Sequence, residues 1–258
     1  MNGLLNLAYP LLDAFDWSLS FLPAVLRVVV LGALSGALAM GLYVLFSNQE
    51  RLRACKEEIR AIRVALNAAK DDFAETMRLS RRNLAASFKL LGVTLGPALL
   101  SSLPLLAIIG WLAAHYGYTV PAAGTPVPVA FLPAAADGIA VEPPGALQGE
   151  AAGASRTLRW PAEAGPPPRF VDAGGPVYEG PPADLPATTV HKRLWWNWLL
   201  GNEAGYLRPD AAVDEITFAL EPRILVPGVP SWLGGWEAVY FVTVLVTSLA
   251  IKVGFKIE

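Results

Sequence analysis

The sequence predicts an α-helical integral membrane protein with three transmembrane helices, a cytoplasmic helical hairpin forming a coiled coil, and a Pro/Gly-rich extracytoplasmic loop with room for a small β-containing unit. Three observations predict it. Hydrophobic residues make up 54% of the 258 and charged residues only 16%, well to the apolar side of soluble usage. The apolar residues are gathered into three long stretches instead of recurring at a helical or strand period. Basic residues are concentrated between the first two of those stretches. The net charge of −2 therefore says little about partners, and Cys55, the single cysteine, excludes an intramolecular disulfide and a Cys-x-x-Cys pair.

The first stretch, 21–46, is longer than the roughly 20 apolar residues that a helix needs to cross a bilayer. It follows an acidic leader (1–20), and no small-residue cleavage pattern comes after it, so it reads as a span and not as a signal peptide. The second, 90–114, contains Pro97 and Pro104, which membrane helices tolerate when neighbours satisfy the freed carbonyls. The third, 236–254, opens on an interfacial Trp236 and closes beside Lys252, leaving a short tail at 255–258. Basic residues flanking a span stay cytoplasmic. Ten lie at 47–89: Arg51, Arg53, Lys56, Arg60, Arg63, Lys70, Arg78, Arg81, Arg82 and Lys89. The leader has Asp13 and Asp16 and no Lys or Arg, and 116–235 carries seven basic against twelve acidic residues. The N-terminus and the long loop are expected outside, and the C-terminus inside.

Within 47–89, Leu52, Cys55, Ile59, Ile62, Leu66, Ala69 and Phe73 recur at alternating steps of three and four, a coiled-coil seam. This reads as the first span's helix continuing into the cytosol, turning near Lys70-Asp71-Asp72 and returning through Met77, Leu84, Phe88 and Leu91. The seam serves the hairpin's own packing. Its basic excess is suited to anionic headgroups or to ribosomal RNA.

Polar residues inside the spans are the candidate groove. Arg27 is the charged residue within the first apolar run, and it either lines a polar groove or snorkels to the outer headgroups. Ser87, Thr94 and Ser101 recur every seven residues and share a helix face. Thr243 and Thr247 share another, as do Ser248 and Lys252. Such hydroxyls either bond their own backbone and glue helices together or, facing Arg27, line a hydrophilic groove. Gly32 and Gly36 would let another helix approach closely.

In 115–235, the part from about residue 121 to 168 is dominated by Ala, Gly and Pro and is expected to be mostly extended or mobile. Residues 157–160, 177–178, 216–220 and 224–226 are candidate short strands. Residues 191–200 (HKRLWWNWLL) carry Trp195, Trp196 and Trp198 beside a basic start, a composition suited to an interfacial helix on the outer membrane surface. No Asn-x-Ser/Thr sequon occurs.

Motifs for chemistry are missing: no phosphate-binding or dinucleotide-binding glycine loop and no His-Glu-x-x-His. His115 and His191 have no Cys or clustered carboxylates beside them in sequence, which suits interface or surface roles better than metal ligation. Asp210 and the Asp214-Glu215 pair lack the spaced oxygen ligands of a calcium loop. Neither enzymatic activity nor a cofactor or metal is expected.

The order of these parts resembles the YidC/Oxa-type membrane protein insertases, and especially their minimal three-span branch: the archaeal YidC-like proteins, the third subunit of the endoplasmic-reticulum membrane complex, and relatives in guided entry and multipass insertion. Phe46-Ser47-Asn48-Gln49-Glu50-Arg51-Leu52 is similar to the junction between first span and coiled coil in that branch. Leu95-Gly96-Pro97, ahead of Ser101-Ser102-Leu103-Pro104, is similar to its second span. The likeness covers about residues 1–114 and 236–258, and the large outside loop departs from it. The resemblance implies an insertase whose groove, open to cytosol and lipid, eases a short hydrophilic segment across, with Arg27 as the counterpart of the arginine in the family's first core helix. The implied partners are membrane lipids, nascent or newly made membrane proteins and, beyond those, the ribosome or other membrane-complex subunits. The implied location is the cytoplasmic membrane of a bacterium. The competing expectations are a non-catalytic accessory or scaffold subunit and, less favoured, an oligomeric transporter or channel.

Overall fold

The computed structural model describes residues 3–69, 72–133, 138–149, 156–162, 165–186, 188–197 and 201–257. Among the described residues three helices are long and apolar enough to cross a membrane: α2 (Ala24–Phe46), α4 (Phe73–Tyr116) and α6 (Trp236–Gly254). The chain divides into two compact units. One comprises Met1–Arg27 with Leu106–Ala238, the other Val28–Leu105 with Val239–Glu258.

The second unit is helical. Its helix α2 stops at Phe46, and α3 (Gln49–Ala68) starts afresh behind Asn48, whose backbone is extended (φ −85°, ψ 96°) and whose side chain accepts from Arg51 N. This corrects the expectation of one continuous helix. An Asn in that conformation satisfies an orphan amide of the new first turn and so makes a stable helix start. The buried face of α3 is Leu52, Cys55, Ile59 and Ile62, the first four positions of the three-four seam. Ile59 and Ile62 cluster with Ala86 of α4, with Leu66 and Leu90 packed against them. The returning amphipathic run and the second apolar run are one 44-residue helix that continues through Pro97 and Pro104, about 66 Å long at 1.5 Å per residue. Helices α2 and α6 meet at small residues. A Cβ added to Gly32 would lie 2.9 Å from Thr243 Cβ, and one added to Gly36 would lie 2.9 Å from the Val244 carbonyl oxygen, so only glycine allows this approach.

The first unit opens with a 3-10 turn at Leu5–Ala8 and α1 (Tyr9–Ser18), and its described residues then hold eight strands. These are β1 (Pro126–Leu132), β2 (Ala140–Glu142), β3 (Leu147–Gln148), β4 (Arg156–Arg159), β5 (Arg169–Asp172), β6 (Gly175–Glu179), β7 (Thr189–His191) and β8 (Glu215–Phe218). One antiparallel sheet runs β3-β4-β1-β8-β7, the other β2-β5-β6. Alternate residues point inward and make a core in which Leu158, Phe170, Val190, Ile216 and Phe218 are almost fully buried. Four strands therefore fall in the stretch expected to be mostly extended or mobile. Strand β1 alternates exposed Pro126 and Pro128 with buried Val127 and Val129, so the strand is shaped by its valines despite the prolines.

Two local expectations are corrected. Residues 224–226 form no strand, because the amides of Leu225 and Val226 both donate to the Gly234 carbonyl, which folds this segment back on the one-turn helix α5 (Ser231–Gly234). Residues 191–196 form no helix either. His191 ends β7, Lys192 bridges to Leu207, and the Asn197 side chain occupies the Leu194 amide and the Lys192 carbonyl, the backbone groups a helix would use. Trp198 lies outside the described residues.

Candidate functional site

In the helical unit an open cavity of about 720 Å³ lies between α3 and α4. From α3 come Lys56, Ile59, Arg60, Arg63, Val64 and Asn67. From α4 come Ser87, Leu90, Leu91 and Thr94. The pattern follows from helix period: Lys56, Arg60, Arg63 and Asn67 are spaced four, three and four apart and so form one ridge, while Ser87, Leu90 or Leu91, and Thr94 do the same on the facing wall. One wall is cationic, the other a mixture of hydroxyl and leucine, and no carboxylate lines the space among the described residues. Glu58 turns elsewhere, to Lys89 at 3.4 Å and Arg82 at 3.8 Å. These exposed pairs orient α3 against α4 and contribute at most about 1 kcal/mol each.

The hydroxyls are held by their own helix. Ser87 donates to the Asn83 carbonyl, Thr94 to those of Leu90 and Leu91, and Ser101 to that of Ala98. Thr243 likewise donates to the Val239 carbonyl. Ser101 is buried and is not part of the cavity, and Thr243 and Thr247 lie against Gly32 and Gly36. Of the predicted groove residues the cavity thus collects Ser87 and Thr94, together with three of the predicted basic ones, Lys56, Arg60 and Arg63. Arg51, Arg53, Arg78, Arg81 and Arg82 lie outside its lining, with Arg78 paired to Glu75.

Arg27 belongs to a second polar set, in the other unit. Its Nη1 donates to Asp16 Oδ2 at 2.7 Å, with the two side chains 20% and 19% exposed. Tyr116 donates its hydroxyl to the other Asp16 oxygen at 2.5 Å. The guanidinium groups of Arg27 and Arg223 each lie over the Tyr116 ring, at 5.7 and 5.2 Å from its centroid. One helical turn earlier on the chain, Asp13 accepts from buried Trp111 Nε1 at 2.7 Å. The His115 ring stacks on Trp111 with centroids 4.5 Å apart and sits between Asp13 (3.5 Å) and Glu203 (3.7 Å). Burial raises the Glu203 carboxyl above the ordinary carboxylate range, the His115 imidazole opposes this, and the carboxylates of Asp13 and Asp184 add to it.

His115 therefore has two carboxylate neighbours, contrary to its sequence surroundings, because they come from residues 13 and 203. Sequence reading misses Asp13, Asp16, Trp111, Tyr116, Glu203 and Arg223 as a set. The one signal that could have flagged them is the pair of Asp three apart on an otherwise uncharged amphipathic helix. Among the described residues no group of three or more His, Cys, Asp or Glu is arranged to hold a metal. Asp210, Asp214 and Glu215 are engaged by Arg208, Lys192 and His191. Trp195 and Trp196 are both exposed, Trp195 at 87%.

No family model matches this chain, and comparison with curated proteins and with solved structures returns no match.

Proposed function

We propose that this chain is a membrane protein insertase or membrane chaperone, passing short hydrophilic segments through the groove between α3 and α4. The single observation that carries this reading is the cavity itself: it joins the basic ridge of Lys56, Arg60 and Arg63 to Ser87 and Thr94, where α4 loses its charged residues after Lys89. A polar segment entering there keeps water and hydrogen-bond partners while its following apolar helix moves into lipid, which lowers the cost of bringing charge into a bilayer. No nucleotide is needed for this exchange. In this reading the α3–α4 hairpin faces the cytosol of a bacterial cell and the β unit lies outside. The resemblance to the YidC/Oxa-type insertases in the order of spans supports it.

The folded β unit, with its own core, favours a second reading, a non-catalytic accessory or scaffold subunit that holds partners on both faces of the membrane. Reconstitution separates the two. Proteoliposomes carrying the Ser87→Leu/Thr94→Leu double variant should insert a short-tailed membrane protein roughly tenfold more slowly than the parent, a barrier rise of about 1.4 kcal/mol. Unchanged insertion by a variant with the parent's melting temperature favours the scaffold.

A further inference from the structure

We propose that the α3–α4 groove holds one anionic phospholipid of hydroxyl-bearing headgroup, of the phosphatidylglycerol class. This binding site goes beyond client passage and rests only on the membrane placement of α4, not on insertion.

The chemistry is read from the walls. Arg60 and Arg63 line the cavity without a carboxylate among its lining residues to neutralise them, so the groove presents guanidinium donors to a phosphate, the anion their fork geometry suits. Facing them, Ser87 and Thr94 spend their hydroxyl protons on backbone carbonyls, which leaves oxygen lone pairs turned to acceptor duty. Phosphate oxygens cannot donate to those lone pairs, whereas the glycerol hydroxyls of the headgroup can. Ile59, Val64, Leu90 and Leu91 form the apolar part of the lining, and Lys56 and Asn67 complete it. Leu90 and Leu91 begin the apolar run of α4, so acyl chains can continue along the helix into the bilayer. A soluble polyanion would use the cations and leave the leucine wall bare. The amphipathic pairing of walls selects a lipid.

The test is native mass spectrometry of the full chain in mild detergent, titrated with phosphatidylglycerol and, separately, with phosphatidylcholine. One phosphatidylglycerol per chain should be retained in preference to phosphatidylcholine. The Arg60→Gln/Arg63→Gln variant should weaken that retention roughly 25-fold, about fivefold for each basic residue withdrawn from the headgroup. Arg78→Gln/Arg81→Gln, which removes the same charge outside the groove, should leave it within about twofold, since neither residue lines the cavity and both act on the headgroup only through screening solvent. The charge-keeping Arg60→Lys/Arg63→Lys variant guards against misfolding and should bind between the parent and the glutamine pair, since it keeps the charge and loses the guanidinium fork. Equal weakening by both glutamine pairs, no preference for phosphatidylglycerol, or full competition by free glycerol phosphate would each overturn the proposal. So would groove-dependent binding of an RNA hairpin by a chain that retains no lipid.

Discussion

Asp16 and Thr94 both sit on helices rich in apolar residues, yet they are held in opposite ways. Asp16 gathers partners eleven and one hundred residues away, Arg27 and Tyr116, while Thr94 bonds the carbonyls three and four residues behind it. The first is a tertiary crosslink whose geometry exists only in the folded unit. The second is satisfied by the helix alone and stays satisfied whatever lies in front of it. Under the proposed function, in which the groove admits and releases polar segments, walls of the second kind are suited to it, because their hydrogen bonds do not have to be broken for a guest to enter. The Asp16 set suits a fixed joint, where three side chains would be left unpaired by movement.

The largest effect that sharpens this contrast is expected from Asp16→Ala. It leaves a mostly buried guanidinium and the Tyr116 hydroxyl without their acceptor, and should lower stability by about 3 kcal/mol, read from thermal unfolding in detergent. A change below about 0.5 kcal/mol would mean that water replaces the carboxylate without cost, and the joint would not be fixed.

An intermediate effect, dependent on pH, is expected at Glu203. Its carboxyl is raised by burial, against the opposing His115 imidazole, so the folded unit binds a proton there more tightly than the unfolded chain. Stability from this group is full below the ordinary carboxylate range and is lost as pH rises through the raised value. Glu203→Gln should therefore flatten the decline in melting temperature as pH rises above the ordinary carboxylate range, and leave the profile below that range little changed. A parallel shift at every pH would contradict that assignment.

The smallest effect is expected from Thr94→Val, at about 0.6 kcal/mol or less, because the hydroxyl makes no interhelical bond whose loss would be felt. A loss several times larger in the same unfolding measurement would place Thr94 with Asp16 as a structural crosslink and remove it from the groove.

What the sequence discloses follows the same division. Local features are legible: the three long apolar helices, the buried face of α3 at Leu52, Cys55, Ile59 and Ile62, and the Gly32/Gly36 approach depend on residues within one or two turns of each other. The break at Ser47-Asn48 is hidden because a capping Asn inside a helical pattern differs from a helical Asn only in backbone conformation. Strand β1 is hidden by Pro126 and Pro128, which argue against a central strand, although its valines carry the core. The helix expected from the tryptophan-rich run is not formed over 191–196, because Lys192 pairs with Asp214 just ahead of β8 and the Asn197 side chain takes the Lys192 carbonyl and the Leu194 amide. The cluster around Asp13, His115 and Glu203 is the least legible, since its members are about a hundred residues apart in the chain and no spacing rule connects them. Of the candidate groove, Ser87 and Thr94 were readable from their shared face, whereas their meeting with Lys56, Arg60 and Arg63 depends on how α3 returns against α4.

The most direct test is photo-crosslinking from Thr94 in membranes carrying stalled nascent chains of a short-tailed membrane protein, with the same crosslinker at Thr243 as the comparison. Nascent-chain adducts are expected at Thr94 as the apolar segment emerges, and none at Thr243, which is packed against Gly32. Adducts at Thr94 only to a fixed resident protein, unchanged by the nascent chain, would contradict the insertase reading.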